Sequence, residues 1–149
     1  MKHLTVLFLP LVAVSYFLLP VHSYAATGEP IDSSGVQIQR QDQNGIAYLS
    51  GGIGEDEAKA IQQATGYNLH MTFSIGPEGK YVPDVDVVVQ KAKGETVLKL
   101  NQAGPLVYVQ LPPGKYTVAA TRNGKVQHDT TDVGTSTARN LVFHWNADV

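Results

Sequence analysis

Between Gly104 and Gly124 the chain reads Gly-Pro-Leu-Val-Tyr-Val-Gln-Leu-Pro-Pro-Gly-Lys-Tyr-Thr-Val-Ala-Ala-Thr-Arg-Asn-Gly. Two apolar runs meet at Pro112-Pro113-Gly114, and the second closes at Asn123-Gly124. No helix crosses such a stretch, because proline fixes φ and lacks an N–H while glycine admits positive φ. The β-branched and aromatic residues on either side favour strands. The stretch therefore predicts two strands at the centre of a β-sandwich, with a tight reversal at Pro-Pro-Gly.

From Gly76 onward the rest of the chain fits that frame. Gly76-Pro-Glu-Gly79 is a turn, and Val85, Val87 and Val89 alternate with Asp84, Asp86 and Val88, so the first set faces a core and the second faces out. Lys91 to Gly94 turns the chain into a strand over Glu95 to Leu100, and Asn101 to Pro105 turns it again. Strands follow over 106–111, 115–121, 125–129 and 139–145, the last with Leu141, Phe143 and Trp145 on one face. Turns at this spacing suit a sandwich.

Ahead of it, residues 46–75 read as a strand, helix and strand. Gly54 caps a helix from Glu55 to about Thr65, with Glu57 placed to reach back to a free backbone N–H and Ile53 and Ala58 at the positions of a hydrophobic staple. Glu55, Asp56 and Glu57 complement the helix dipole. Ala58, Ile61 and Ala64 form a narrow apolar stripe, and Gly66 suits the position just past the helix end. Leu69, Met71 and Phe73 then alternate with His70, Thr72 and Ser74. Residues 26–45 read as a polar leader, in which Val36 and Ile38 suggest an edge strand and Asn44-Gly45 a hairpin turn into Ile46 to Leu49.

Leu111-Pro-Pro-Gly-Lys-Tyr-Thr-Val118, followed by Asn123-Gly124, resembles the carboxypeptidase regulatory-like domain, a transthyretin-like (prealbumin-type) sandwich. The resemblance covers about residues 82–145. It implies a mainly β fold, a transthyretin-like antiparallel β-sandwich over 76–149 preceded by the small strand-helix-strand unit. It also implies that Leu106, Tyr108 and Leu111 point inward, which requires a β-bulge near Val109-Gln110, whereas strict alternation puts Val107, Val109 and Leu111 on one face. The family pattern is preferred here. In metallocarboxypeptidases such a domain accompanies a separate catalytic domain, for which this chain has no room.

Residues 1–25 have the pattern of a secretory signal peptide: Lys2, an apolar stretch from Leu4 to Leu19, and Ser23-Tyr24-Ala25 as a cleavage site. The alternative is an uncleaved anchor, although about sixteen apolar residues fall short of the roughly 20 that span a bilayer. Cleavage implies a periplasmic or secreted protein with no further membrane span. It removes one lysine and no acid, leaving ten basic against thirteen acidic residues, a net charge of −3 with histidine neutral. Those basic residues are scattered along the chain, so nothing points to nucleic acid or to an anionic membrane surface.

Chemistry is sparse. The chain has no cysteine, which removes disulfides, thiolate zinc sites and cysteine catalysis. His70, His128 and His144 stand singly in their strands as solvated or edge residues, with no paired spacing for zinc. Asp84 and Asp86 could offer oxygens to calcium, but an acidic pair on a solvated face is the plainer reading. Gly51-Gly-Ile-Gly54 lacks the lysine and the Ser/Thr of a phosphate loop, and the three acids behind it would repel phosphate. Ser50 and Ser74 carry no activating motif. The expectation is thus a protein with no catalytic residue, cofactor or metal, which binds a protein or an envelope component through loops or an edge strand. The alternative is a carbohydrate-binding module that stacks a glycan on an exposed aromatic, with Tyr67, Tyr81 and Trp145 as candidate platforms.

Overall fold

A computed structural model describes residues 31–33 and 36–147; the signal-peptide reading of residues 1–25 lies outside them. Along the chain come β1 (Ile31–Ser33), β2 (Val36–Ile38), β3 (Gln41–Gln43), β4 (Ile46–Gly51), α1 (Glu55–Gln63), β5 (Leu69–Ile75), β6 (Lys80–Tyr81), β7 (Val85–Lys91), β8 (Thr96–Ala103), β9 (Leu106–Gln110), β10 (Gly114–Arg122), β11 (Lys125–Val133) and β12 (Arg139–Trp145). The fold is mainly β, with two sheets packed as a sandwich. One sheet has the order β11-β10-β7-β8, and the other β12-β5-β9-β4-β3 with β6 beside β5. The pairings are antiparallel except for β5 with β12, which is parallel.

Alternation sets the core. Val85, Val87 and Val89 from β7, Leu69, Met71 and Phe73 from β5, Tyr116 and Val118 from β10, and Leu141, Phe143 and Trp145 from β12 all enter one cluster between the sheets. Burying side chains of this size is worth roughly 1.5–3 kcal/mol each, the main favourable term in a chain without disulfides. A second cluster lies on the outer face of the larger sheet. There Ala60, Ile61 and Ala64 of α1 cover Leu49, Leu106 and Tyr108, joined by Ile38 and Tyr67.

Four expectations change. First, Pro112-Pro113-Gly114 does not join paired strands: β9 and β10 belong to different sheets, so the stretch is a corner between layers. The hydroxyl of Tyr116 donates to the Pro112 carbonyl at 2.7 Å and pins that corner. Second, β9 pairs with β4 and β5 without a break in register, which places Val107 and Val109 in the main core and Leu106 and Tyr108 under the helix. Strict alternation holds there and the inward Leu106 and Tyr108 of the family pattern do not. The bulges lie instead in β8, opposite Val85 to Val87 and Val89 to Gln90, and β8 runs on to Ala103 through Gln102 at φ 54°. Third, residues 46–75 are not a separate unit ahead of the sandwich, because β4 and β5 are inner strands of the larger sheet. Fourth, Ile53 is 68% exposed and forms no staple with Ala58.

The described part of the leader, residues 31–33 and 36–45, contributes strands rather than serving as a linker. β3 and β4 form the expected hairpin across Asn44-Gly45, both at positive φ (54° and 79°), as a type I′ turn demands. Val36 and Ile38 belong to a separate hairpin, β1 with β2, which lies against α1.

Both long sides of the sandwich are closed by side chains rather than by strand pairing. On one side the Gln43 amide donates to the Lys99 carbonyl at 3.0 Å and accepts the Lys99 N–H at 2.7 Å. The Gly104 N–H donates to Ser50 Oγ at 3.0 Å. On the other side Arg139 Nε donates to the Asp132 carbonyl, the Gln127 amide to the His144 carbonyl, and the Trp145 indole to the Lys125 carbonyl.

Candidate functional site

Concave surface lies along the Gln43 side, where a polar recess of about 400 Å³ is lined by Gln41, Gln43, Tyr48 and Lys99, and at the two ends. One groove of about 440 Å³ lies where β4 ends and where β7 and β9 begin, lined by Gly52, Ile53, Ala58, Tyr81, Pro83 and Pro105, with Glu55, Lys59 and Gln62 among the polar residues of the lining. The local sequence explains its shape. Gly52 and Gly54 take φ of 97° and 104°, so the backbone swings Ile53 away from the core between them. The carboxylate of Glu57 turns back to accept the Ile53 N–H at 2.9 Å, which holds the loop against the helix start. That contact puts the chain's own carboxylate where a phosphate-loop reading would need an anion.

Tyr81 stands on β6, opposite Ser74 of β5, and is 45% exposed. Its hydroxyl accepts a hydrogen bond from Gln62 Nε2 at 3.3 Å, which ties the ring to the helix wall. Ile53 and Tyr81 are two of the four large apolar side chains exposed among the described residues; Val126 and Val142 are the others.

Of the three aromatic platforms read from the sequence, only Tyr81 can stack a ligand. Tyr67 is 8% exposed in the cluster under α1, its ring 6.4 Å from that of Tyr108. Burial pushes the Tyr67 phenol up from its ordinary pKa, partly offset by the charge of Arg40. Trp145 is 3% exposed and packs in the main core beside Phe73. No family model matches the chain, and no curated protein matches it in sequence.

His128 and His144 are exposed on the edge strands β11 and β12, as expected, whereas His70 is half-buried on the inner strand β5. His70 stacks on Tyr108, with ring centroids 3.7 Å apart and planes within 3°, and its Nε2 lies 3.2 Å from the Tyr67 carbonyl. The Tyr108 phenol is raised by burial and further by the neighbouring Tyr81. His144 Nδ1 lies 2.9 Å from Ser74 Oγ, a pairing of residues 70 apart in sequence that local reading does not reveal. The pair lacks the third group of a hydrolytic triad: among the described residues no carboxylate bonds the His144 ring, and Ser74 is buried. Asp86 accepts the Gln102 N–H at 3.0 Å and so holds the β8 bulge, while Asp84 lies exposed just before β7. Among the described residues no three His, Cys, Asp or Glu side chains group in a way that could hold a metal ion.

Proposed function

We propose that the protein is an exported, non-catalytic binding module that takes a protein or envelope partner in the groove of Ile53 and Tyr81. The observation that carries this reading is the placing of two of the four large apolar side chains exposed among the described residues, Ile53 and Tyr81, on one concave surface at the end of the sandwich. Binding sites are concave and mostly apolar with a few polar groups on the wall, and this groove has that make-up. The closed sides support loops rather than an edge strand as the means of binding. The reading of residues 82–145 as a divergent carboxypeptidase regulatory-like sandwich belongs to the same proposal; the β10–β11 hairpin across Asn123-Gly124 favours it and the register of β9 weighs against it.

The test is crosslinking and pull-down from envelope extract with the native chain and with an Ile53→Ser, Tyr81→Ala variant. Both side chains are exposed, so the variant should fold, and it should lose the partners that the native chain retains. Equal capture by both chains would refute the groove. Saturable hydrolysis of a peptide, ester or glycoside, abolished by Ser74→Ala or His144→Gln, would refute the non-catalytic part.

A glycan on Tyr81 is the second reading, favoured by the anchored ring and by the hydrogen-bonding side chains of Glu55, Lys59 and Gln62 beside it. A glycan array separates the two, since sugar binding should fall with Tyr81→Ala and survive Ile53→Ser.

A further inference from the structure

The end of the sandwich opposite the groove is basic. β4, β7 and β9 run between the ends, about 20 Å apart at roughly 3.3 Å per residue along β7. At the far end a recess of about 530 Å³ lies between the Lys91 to Glu95 turn and the Pro112-Pro113 corner, lined by Lys91, Lys93, Lys115, Pro112, Pro113 and Tyr116, with Glu95 also among its lining residues. Lys91 is paired with Glu95 at 3.0 Å. Among the described residues neither Lys93 nor Lys115 has a carboxylate within salt-bridge distance. Asp132 stands opposite Lys115 on β11, and Arg139 donates to its backbone carbonyl, so Lys93 and Lys91 with its partner Glu95 make up most of the charge at the recess. Two lysines of the β7–β8 turn and one from the start of β10 are thus gathered around a floor of proline and tyrosine.

The groove end carries the complement. Glu55, Asp56 and Glu57 occupy the first turn of α1, directly after the protruding Ile53. Lys59 bonds Glu55 at 2.6 Å, a pair with both side chains more than half exposed and therefore readily exchanged. One end is an apolar knob beside surplus acid, and the other an apolar recess beside surplus base.

We infer that a second copy of this chain docks head to tail, with Ile53 entering the recess of Pro112, Pro113 and Tyr116 while Glu55 and Asp56 face Lys93 and Lys115. This rests on the reading of the groove end as a docking face and names its partner. The two patches differ, so the contact is heterologous and propagates as a ring or an open filament rather than closing as a two-fold dimer, which would set base against base. A bilayer is the poorer occupant: lipid recognition uses clusters of about four to eight basic residues, and a flat surface would leave the recess unfilled.

Sedimentation velocity across protein concentration tests this with two variants, Lys93→Gln with Lys115→Gln and Glu55→Gln with Asp56→Asn. The native chain should self-associate at about 20 mM salt and dissociate at about 0.5 M, as the Debye length shrinks from roughly 20 Å to about 4 Å. Each variant alone should associate on the order of tenfold more weakly, the loss expected for two interfacial ion pairs. Mixed in equal amounts they should form a one-to-one dimer that grows no further, because each retains one intact end. A native chain that stays monomeric at low salt, association indifferent to both variants, or a mixture with no dimer overturns the inference. A monomeric chain that still loses its partners with Ile53→Ser, Tyr81→Ala would refute self-docking alone. Self-association with no partner or glycan at Tyr81 would support self-docking and refute the wider binding role.

Discussion

Tyr116 tests whether the Pro-Pro-Gly corner is a structural joint between the layers. It is the largest fully enclosed side chain among the described residues, and its hydroxyl bonds Pro112, four residues back at the corner. Truncation to alanine removes the ring and leaves a cavity between sheets held by β7 and β11 on either side of β10, so relaxation is limited. The expected cost is about 3–5 kcal/mol, as for other buried aromatics. Tyr116→Phe keeps the ring and removes one hydrogen bond; Pro112 is exposed, so its carbonyl can turn to water, and the cost should be near the low end of about 0.5–1.5 kcal/mol. Urea unfolding followed by the fluorescence of Trp145, the single tryptophan, reads both, since the indole is buried in the same core. An alanine variant within about 1 kcal/mol of the native chain, well below the loss usual for such truncations, would refute the account of the corner.

Tyr67, Tyr108 and Tyr116 all have phenol pKa values raised above 10.0, each first by burial. The folded form therefore holds protons that the unfolded form releases, so stability should be unaffected by these groups below about pH 10 and should fall as pH rises beyond it; Tyr116→Phe should make the fall shallower in pH-dependent melting curves. Gly104→Ala would place a Cβ 2.6 Å from the Gly51 backbone, an overlap no rotamer relieves, and should cost about 1–3 kcal/mol in the same urea assay. If residues 1–25 are a signal peptide, mass spectrometry of protein from the envelope fraction should give an N-terminus near Ala26, and recovery of the intact chain in the membrane would favour an anchor.

Alternation made most of the core legible. In β5, β7 and β12 one face meets the opposing sheet and the other is less buried or open, so period two reads directly as inside and outside. In β9 alternation still sorts Val107 and Val109 from Leu106 and Tyr108, but all four are buried because α1 covers the second face; a continuous apolar run does not say which side is the main core, and the family register chose the wrong one. Pro-Pro-Gly was legible as a break but not as a corner, since the same residues serve a hairpin or a change of sheet. Of the site, Tyr81 was visible only as one of three candidate aromatics, and burial alone separates it from Tyr67 and Trp145. Ile53 was hidden by its resemblance to a staple residue, although its place between two glycines signals an outward swing. The lysine recess joins residues 91, 93 and 115, which only the packing of the β7–β8 turn against the start of β10 brings together.

The amide of Gln43 copies what a neighbouring strand would do, giving one acceptor and one donor to Lys99 at the margin of β8. An unfinished sheet margin is a template on which foreign chains grow, and most folds guard it with bulk or charge. Here two neutral side chains, Gln43 on Lys99 and Ser50 on Gly104, serve as the seal. Replacing Gln43 by alanine should cost little in folding free energy, about 1–3 kcal/mol for two hydrogen bonds, yet shorten the lag before thioflavin-positive fibres form. An unchanged lag would mean that the bulges of β8 guard the margin by themselves. Because the Asn44-Gly45 hairpin carries Gln43 to that margin, disrupting the turn should bear on fibre formation rather than on binding.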